Sequence, residues 1–545
     1  MALKTSSSII QMDKSFLDVY SIDEILENKE IIYQIADACL TNEHKLSLFL
    51  RNLLFEKVVE IPLEKSSFYY ELDDESKLWG IQKNKKLLCI KLGYIFDELI
   101  ENYPKEKFES MDLIKLDNFR YKALSSYLTV SKRNNLINGI NLSVKNTDKF
   151  INNLDSSPYE LPLINNKVIN LKYNVIRERG NPASLLPLIN NDLKKYEEFK
   201  TPDYWTFEIN AKIIKDTSKP NEFFKKLMCG CDKKTKYLQQ ILGSCLINKN
   251  LSQSFFIFTG EGSNGKSTLI NIMKYFLNDV SKSIDPNLII ENQSNKYSNS
   301  NSANPFIVAL KNKRFLFLSE TKKNDKLKED FVKQITGDDT ITTRSLYSNE
   351  VLEFTVGATP ILITNFKPTF DISKKAMLRR FKTIEFKANF VDKKSKIKNK
   401  NDYLGDSKFF DDEFLPNKDS YFSWLVEGAY SFLNENIKLD PPEEIKKDIE
   451  SYINEIDLIS QFYNDKLEKT ENNKDRIKKN IIYDNFKSFC ENAGVPYKPK
   501  KEFYAEFEKI QKPVKINGYY YYDNLIFKED EEFQDEDDII EPYGL

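Results

Sequence analysis

The chain has 545 residues, 40% hydrophobic and 30% charged, an ordinary balance for a protein that buries a core, and long enough for several domains. Lys and Arg number 81 against 83 Asp and Glu, so a net charge of −2 leaves a polyanionic partner neither favoured nor excluded. Six scattered cysteines form no disulfide framework, residues 1–10 lack a signal-type apolar core, and no apolar run approaches the roughly 18 residues of a membrane span. The expectation is a soluble, intracellular protein with no membrane partner. Cys229 and Cys231 are too close together for a usual zinc knuckle, and the single histidine, His44, reads as a surface or core residue. Charge is uneven along the chain: lysines crowd 311–333, 374–400 and 498–515, and 529–541 is acidic.

In chain order, residues 1–150 read as a mainly helical region. Helical spacing covers Ile22–Leu54, Leu87–Ile100 and Arg120–Ile140, with two short strands at 67–72 and 78–81 around an acidic turn. A primase of the archaeal-eukaryotic type needs an Asp-x-Asp pair followed by Ser-x-His, and no histidine follows position 44. Residues 151–235 open with an alternating hairpin at 160–178, whose polar turn is Asn165-Asn166, then become loop-rich and finally helical.

Residues 236–400 contain the most informative stretch. Gly260-Glu261-Gly262-Ser263-Asn264-Gly265-Lys266-Ser267-Thr268 fits G-x-x-x-x-G-K-[ST] at every fixed position. The apolar run Ser254–Thr259 precedes it as a buried parallel strand, and helical spacing follows from Lys266 to Leu277. A strand, a Gly-rich turn and a helix N-terminus aim several backbone N–H groups at one spot, which suits a di- or triphosphate such as ATP. Lys266 would reach the β- and γ-phosphates, Ser267 would hold Mg²⁺, and Thr268 would lie beside the α-phosphate. After a Ser/Asn-rich stretch (291–304), Arg314–Ser319 reads as a short buried strand ending in Glu320. That carboxylate either serves the nucleotide site, through Mg²⁺ or the attacking water, or simply starts the next segment. A helix at 327–335 leads to a hairpin, Ile341–Tyr347 against Val351–Phe354, inserted before another core strand, Pro360–Asn365. Asn365 is placed to bind the γ-phosphate or the attacking water. Arg379 and Arg380 close a helix that runs into strand Lys382–Phe386, as a neighbouring subunit's phosphate contact or as surface charge.

Residues 401–460 read as helical, and 461–528 as helices followed by a hairpin with Asn517-Gly518 at its turn and Tyr519–Tyr522 in its second strand. Helices before a hairpin suggest a winged-helix-like domain. Lys498, Lys500 and Lys501 favour a DNA or protein contact, against a packing domain whose tyrosines fill a core. Residues 529–545 form an acidic tail expected to be disordered.

Taken together, these segments resemble the superfamily 3 helicases, in particular the viral, phage and plasmid primase-helicase group that includes the poxvirus primase-helicase. The matching residues are Gly260 to Thr268, Lys313-Arg314 through Glu320-Thr321, Lys333 through Gly337-Asp338-Asp339 to Arg344 and Tyr347, Thr364-Asn365 with Pro368, and Arg379-Arg380-Phe381. Weaker matches extend to Phe150–Leu154 upstream and Trp424–Ala429 downstream, the latter at the family's helical lid. The resemblance covers roughly residues 60–530 and is strongest over 240–390. It implies an α/β, AAA+-like P-loop motor on a parallel central sheet, between a mainly helical N-terminal region and a helical lid with a winged-helix-like C-terminal domain. It further implies a homo-oligomeric ring, usually a hexamer, that hydrolyses ATP with Mg²⁺ and moves 3′ to 5′ on single-stranded or forked DNA. Arg380 would be the trans finger with Arg379 beside it, Glu320 and Asn365 would position water, and Lys333, Arg344 and Tyr347 would face DNA in the channel. The chain resembles the helicase part without the priming enzyme, so a separate primase or polymerase is the expected partner, at viral replication sites in the host cytoplasm or nucleus. Two alternatives stand beside this: a P-loop phosphotransferase, loading or packaging ATPase, and an origin-binding or scaffold protein that uses ATP only to assemble.

Overall fold

The computed structural model describes residues 22–41, 46–47, 50, 58–62, 67–72, 76–82, 86–139, 153–179, 181–187, 203, 205–291, 304–322, 325–344, 351–372, 374–472, 474–495 and 497–528. Tyr347, His44, most of the 291–304 stretch, Phe150–Asn152 and the acidic tail lie outside the described residues. The chain separates into two compact units, Met1–Asn210 and Ala211–Leu545.

In the first unit, helices α1 (Ile22–Glu27), α2 (Lys29–Thr41), α3 (Lys86–Glu101), α4 (Met111–Ser125) and α5 (Val130–Gly139) share one apolar core. Ile32, Ile35, Leu92, Phe96 and Leu124 are at its centre, where Phe96 stacks on Tyr127 with ring centroids 4.9 Å apart. The two anticipated strands are β2 (Ser67–Leu72) and β3 (Trp79–Gln82), and β1 (Val58–Pro62) adds a third against β2. A second antiparallel sheet runs β4 (Glu160–Leu163), β5 (Lys167–Asn170), β6 (Val175–Glu178), β7 (Asn181–Pro187). Asn165 and Asn166 both have positive φ (61° and 55°), the conformation that a two-residue hairpin turn demands and that Asn tolerates. Strand β7 falls where a loop was expected. The buried Arg177 guanidinium ties this sheet together, 3.1 Å from Glu160 and 2.7 Å from Asp203.

The second unit is built on a five-stranded sheet. Its strands are β8 (Phe255–Thr259), β9 (Ser281–Ser283), β10 (Phe315–Ser319), β13 (Thr359–Ile363) and β14 (Phe381–Glu385), in the spatial order β14-β8-β13-β10-β9, and every pair is parallel. Residues 255–258 are at most 1% exposed, so the central strand is covered on both faces and reads as an unbroken apolar run rather than an alternating one. Register aligns the strand ends. Phe258 pairs with Ile363 and Ile363 with Ser319, so β8, β13 and β10 end at one level. The edge strand β9, Ser-Lys-Ser, was not anticipated, because an exposed polar edge has no apolar signature.

Two helices, α6 (Ser218–Leu227) and α7 (Asp232–Ser244), precede the sheet; α8 (Lys266–Leu277) follows β8, and α9 (Glu329–Thr336) follows β10. The inserted hairpin is β11 (Ile341–Arg344) paired with β12 (Val351–Phe354), and α10 (Lys375–Arg380) leads into β14. Beyond it come a small parallel pair, β15 (Asn389–Val391) with β16 (Asp402–Leu404), and helices α11 (Lys418–Glu435) and α12 (Glu443–Ile456). Tyr452 of α12 packs on Phe381 of β14 with centroids 4.8 Å apart, and its hydroxyl donates to Pro368 O at 2.8 Å. The last module has its own core, around Phe462, Phe486, Phe503, Phe507 and Tyr522. It runs α13 (Leu458–Lys466), β17 (Leu467–Lys469), β18 (Arg476–Lys478), α14 (Lys479–Asn492), α15 (Lys500–Ile510), β19 (Val514–Ile516), β20 (Tyr519–Asp523), β21 (Leu525–Phe527). Helical residues were expected on both sides of position 460, with no break foreseen at 457. Instead Asp457 breaks the helical run, its side chain accepting from Ser460 N at 3.1 Å as the N-cap of α13.

Helices α7 and α11 cross backbone to backbone. A Cβ on Gly243 would sit 2.1 Å from Ala429 N, and one on Gly428 2.2 Å from Gln239 O. Trp424 stacks on Phe224 (4.1 Å) at the same junction, and Gln239 Nε2 donates to Trp424 O at 2.9 Å. Gly428→Ala must push the helices apart. We expect it to destabilise the second unit by about 1–3 kcal/mol, the usual range for overpacking, despite alanine's better helix propensity. Denaturant unfolding against an Asn434→Ala control, an exposed position of the same helix, checks this.

Candidate functional site

The turn between β8 and α8 has the backbone that its glycines permit. Gly265 has φ +81°, and a Cβ there would meet Leu227 Cδ2 at 2.4 Å. Gly260 has φ +141°, and a Cβ would meet Phe386 O at 2.5 Å. Both positions therefore exclude other residues on conformation and on space. Asn264 is buried and braces the turn, its amide donating to Glu261 O and to Phe386 O.

Lys266 is 4% exposed, and among the described residues its ammonium has only neutral acceptors: Gly260 O at 2.6 Å, Asn264 Oδ1 at 3.1 Å, Asn365 Oδ1 at 3.3 Å and Glu261 O at 3.4 Å. Burial without a carboxylate pushes its pKa down to about 8. A cation held this way is poised for an anion.

Strand register brings the other groups to it. Glu320 N donates to Ile363 O (2.9 Å) and Thr364 N to Phe258 O (3.0 Å), so each chain continues past the sheet edge beside its neighbour. Glu320 then turns out with φ +66°, an uncommon conformation for a non-glycine residue. The result is a cleft of about 240 Å³, lined by Gly262, Ser263, Lys266, Ser267, Glu320 and Asn365 among others. Glu320 and Asn365 are exposed there. Sequence reasoning missed the clasp behind them, where Thr321 Oγ1 and Thr364 Oγ1, both buried, lie 2.6 Å apart and share Phe366 O. No motif marks a threonine clasp, which exists only once two distant strands pair. Sequence reasoning also missed the second side of the loop. Gly265 and Thr268 line a pocket of about 620 Å³ with Phe223 and Glu222 of α6, Phe390 of β15, and Tyr421. Phe390 N donates to Ser263 O at 2.7 Å, which fastens β15 to the phosphate loop.

The remaining predicted residues do not line the cleft. Arg379 is exposed, its guanidinium 3.4 Å from Gln253 Oε1. Arg380 is buried, donating from Nε to Thr336 Oγ1 at 3.1 Å and from Nη1 to Ala376 O at 2.9 Å. Lys333 is half-buried on α9, 3.4 Å from Asp330 and 3.8 Å from Glu329. Arg344 is exposed at the end of β11.

Fold and site define the class: a phosphate-loop α/β protein with an amide past the strand next to the loop strand and an acid past the one beyond it. Comparison with known proteins narrows it. The chain is similar to the helicase-named protein L207/L206 of Acanthamoeba polyphaga mimivirus, at 30% identity over 346 residues, 62% of this chain and 34% of that protein. It is similar to Primase D5 of fowlpox virus (strain NVSL), at 30% identity over 250 residues, 45% of this chain and 29% of that protein. Uncoating factor OPG117 of vaccinia virus (strain Western Reserve) matches at 28% over 165 residues, 29% of this chain and 20% of that protein. The chain thus spans about a third or less of the length of these relatives. No family model matches it. Among solved structures, the NrS-1 C-terminal region aligns over 67% of this chain and 95% of its own, at 14% identity and a TM-score of 0.38. The viral relatives bear out the resemblance to the superfamily 3 primase-helicase group. No helix of the described residues is long and apolar enough to cross a membrane.

The Lys266 ammonium yields a direct test. Burial depresses its pKa, so the cation is present below about pH 7 and lost as pH rises through 8. A bound polyphosphate raises that pKa, so binding takes up a proton near pH 8 and weakens up to about tenfold per unit above it. Calorimetry of ADP binding in buffers of different ionisation heat should show this uptake, and Lys266→Met should lack it.

Proposed function

We propose that this chain is an ATP-hydrolysing DNA helicase of viral or mobile-element genome replication, working as a homo-oligomeric ring. The observation that carries the reading is the convergence of Lys266, Ser267, Glu320 and Asn365, from three adjacent parallel strands, on one cleft. The spatial order of the five core strands supports it. Numbered along the chain they lie 5-1-4-3-2, the order of an AAA+ motor, with the paired hairpin β11–β12 inserted between the third and fourth. The viral helicase and primase relatives support the replication setting.

The residues present fit a magnesium nucleotide. Gly260 and Gly265 hold the turn in conformations that other residues avoid, Lys266 is a buried cation held by neutral acceptors, and Ser267 and Glu320 offer hard oxygen donors. Those two oxygens would hold Mg²⁺, which when bound would neutralise phosphate charge. Lys266 and the backbone N–H groups of Gly262–Thr268 bind the phosphates, and the base enters the pocket beside Phe223 and Phe390. Glu320 orients the attacking water and takes its proton, while Asn365, already bonded to Lys266, holds that water from the next strand. The charge growing on the γ-phosphate needs a cation from the neighbouring subunit. Arg379 is the guanidinium exposed for that reach, and Arg380, tied to Thr336 and Ala376, braces its helix. Arg344 and Tyr347 grip the strand, with Lys333 on the helix before the hairpin. Helix α11 serves as the lid element, and the last module is read as a winged helix because, apart from the separate pair β17–β21, its α13, β18, α14, α15, β19 and β20 follow that fold's order and the three strands form one sheet, β18-β20-β19.

Unwinding of a forked duplex tests the reading. Wild type should unwind with ATP, and Lys266→Ala should lose at least about a hundredfold in ATPase and all unwinding. Glu320→Gln should bind ATP normally and hydrolyse it some 10²–10⁴-fold more slowly. Arg379→Ala should be inactive alone and recover partial ATPase when mixed with Lys266→Ala, because one interface type then unites an intact loop with an intact finger; recovery with Arg380→Ala instead would restore that residue as the finger. A wild type that hydrolyses ATP and binds DNA without unwinding would point to a loading or packaging ATPase.

A further inference from the structure

The hairpin β19–β20 is built unlike the rest of its module. Asn517 and Gly518 at its turn have φ +47° and +84°, the tight two-residue form, so the two strands project as a short ribbon. In β20, Tyr522 is fully buried against Phe507 (4.9 Å) and anchors the ribbon. The two tyrosines at the start of β20 serve no core: Tyr519 is 65% exposed and Tyr520 49%.

Lysines surround these rings. Lys478 Nζ lies 5.6 Å from the Tyr519 ring centre, and Lys479 and Lys515 lie 5.6 and 5.7 Å from that of Tyr520. Of these, Lys479 is paired with Glu508; farther off in the module, Lys498 pairs with Glu506 and Lys487 with Glu491. Among the described residues, Lys478, Lys512 and Lys515 make no ion pair, and all three are exposed. From Lys509 to Tyr522 the chain carries three lysines and no acid, and residues 467–528 hold 13 Lys or Arg against 9 Asp or Glu, in a protein whose net charge is −2.

Exposed flat rings flanked by uncompensated lysines are the complement of an unpaired nucleic-acid strand, whose bases stack and whose phosphates are drawn to the cations. A packing surface would bury the rings, and a purely solvating one would not place aromatic residues there. We propose that this hairpin is a second DNA contact, distinct from the one at β11–β12, in which Tyr519 and Tyr520 stack on unpaired bases and Lys478, Lys512 and Lys515 hold the backbone. The choice of DNA as the nucleic acid rests on the motor reading above.

The test uses the full chain with fluorescent oligo-dT, a forked duplex and a blunt duplex, in anisotropy titrations at several salt concentrations. Tyr519→Ala/Tyr520→Ala should lose at least about tenfold in affinity for oligo-dT and the fork, and much less for the blunt duplex. The triple Lys478→Ala/Lys512→Ala/Lys515→Ala variant should reduce the slope of log K against log salt on oligo-dT by roughly two. Both substitutions are at exposed positions, and an unchanged circular dichroism spectrum and melting point establish that the module is folded. Photo-crosslinking of 5-iodouracil in the oligonucleotide to Tyr519 or Tyr520 gives an independent positive result. Wild-type affinities and salt slopes in both variants, with no cross-link, would overturn the inference, as would cross-linking of the three lysines to the acidic segment 529–541 in place of DNA. If wild type itself fails to bind any DNA, the motor reading falls too; if it binds and the variants match it, only the hairpin contact falls.

Discussion

The second unit depends on one register. Parallel pairing sets Phe258, Ile363 and Ser319 side by side at the sheet edge, and everything chemical begins one or two residues beyond that line. The phosphate loop leaves β8 there, Asn365 leaves β13 and Glu320 leaves β10. A slip of one residue in either pairing would reverse the faces of the strand and carry its polar residue away from the loop. The runs of β8 and β13 are buried on both faces, so a slip would also expose core side chains, and the same burial that stabilises the sheet holds the cleft in place. The Thr321–Thr364 contact clasps the two outgoing segments where that apolar constraint ends.

Within this frame the electrostatics are one-sided. Lys266 is buried among carbonyls and amides with no carboxylate of the described residues in contact, an arrangement that costs the charged form and depresses its pKa. A buried cation is usually paired, and this one is held instead by dipoles that an anion can reinforce. Glu320, an acid lining the same cleft, is turned outward and exposed, so it does not neutralise the lysine. Opposite charges facing one cleft without touching suit a ligand that carries both phosphate and metal.

The basic residues outside the cleft divide by what surrounds them. Lys333 and Arg380 are held by their neighbours, Lys333 against Asp330 and Arg380 against Thr336, whereas Arg379 and Arg344 stand exposed. The same distinction separates Lys498, paired with Glu506, from the lysines of the β19–β20 hairpin. Adjacent residues of identical type thus sit in different surroundings, and only the neighbours that folding brings up distinguish them.

Much of this was legible in the amino-acid order because the relevant signals are local. The phosphate loop, its strand and its helix lie within two dozen residues, the glycines are dictated by backbone conformation, and the Asn517-Gly518 turn by positive φ. The strands β8, β10 and β13 declared themselves as apolar runs, and the acid and amide at their ends could be named as candidates. Strands β9 and β7 could not be seen, because a polar edge strand and a Pro- and Ser-containing one lack the periodicity that marks burial. The break at Asp457 passed unnoticed inside a helical pattern, since a cap is a side-chain hydrogen bond rather than a composition. Pairing register, the threonine clasp, the pocket behind Gly265 and the contrast between Arg379 and Arg380 were decided by tertiary structure alone. Each depends on residues dozens to hundreds of positions apart in the chain, and sequence by itself specifies the chemistry a residue carries, whereas burial and neighbours determine whether that chemistry is free to act.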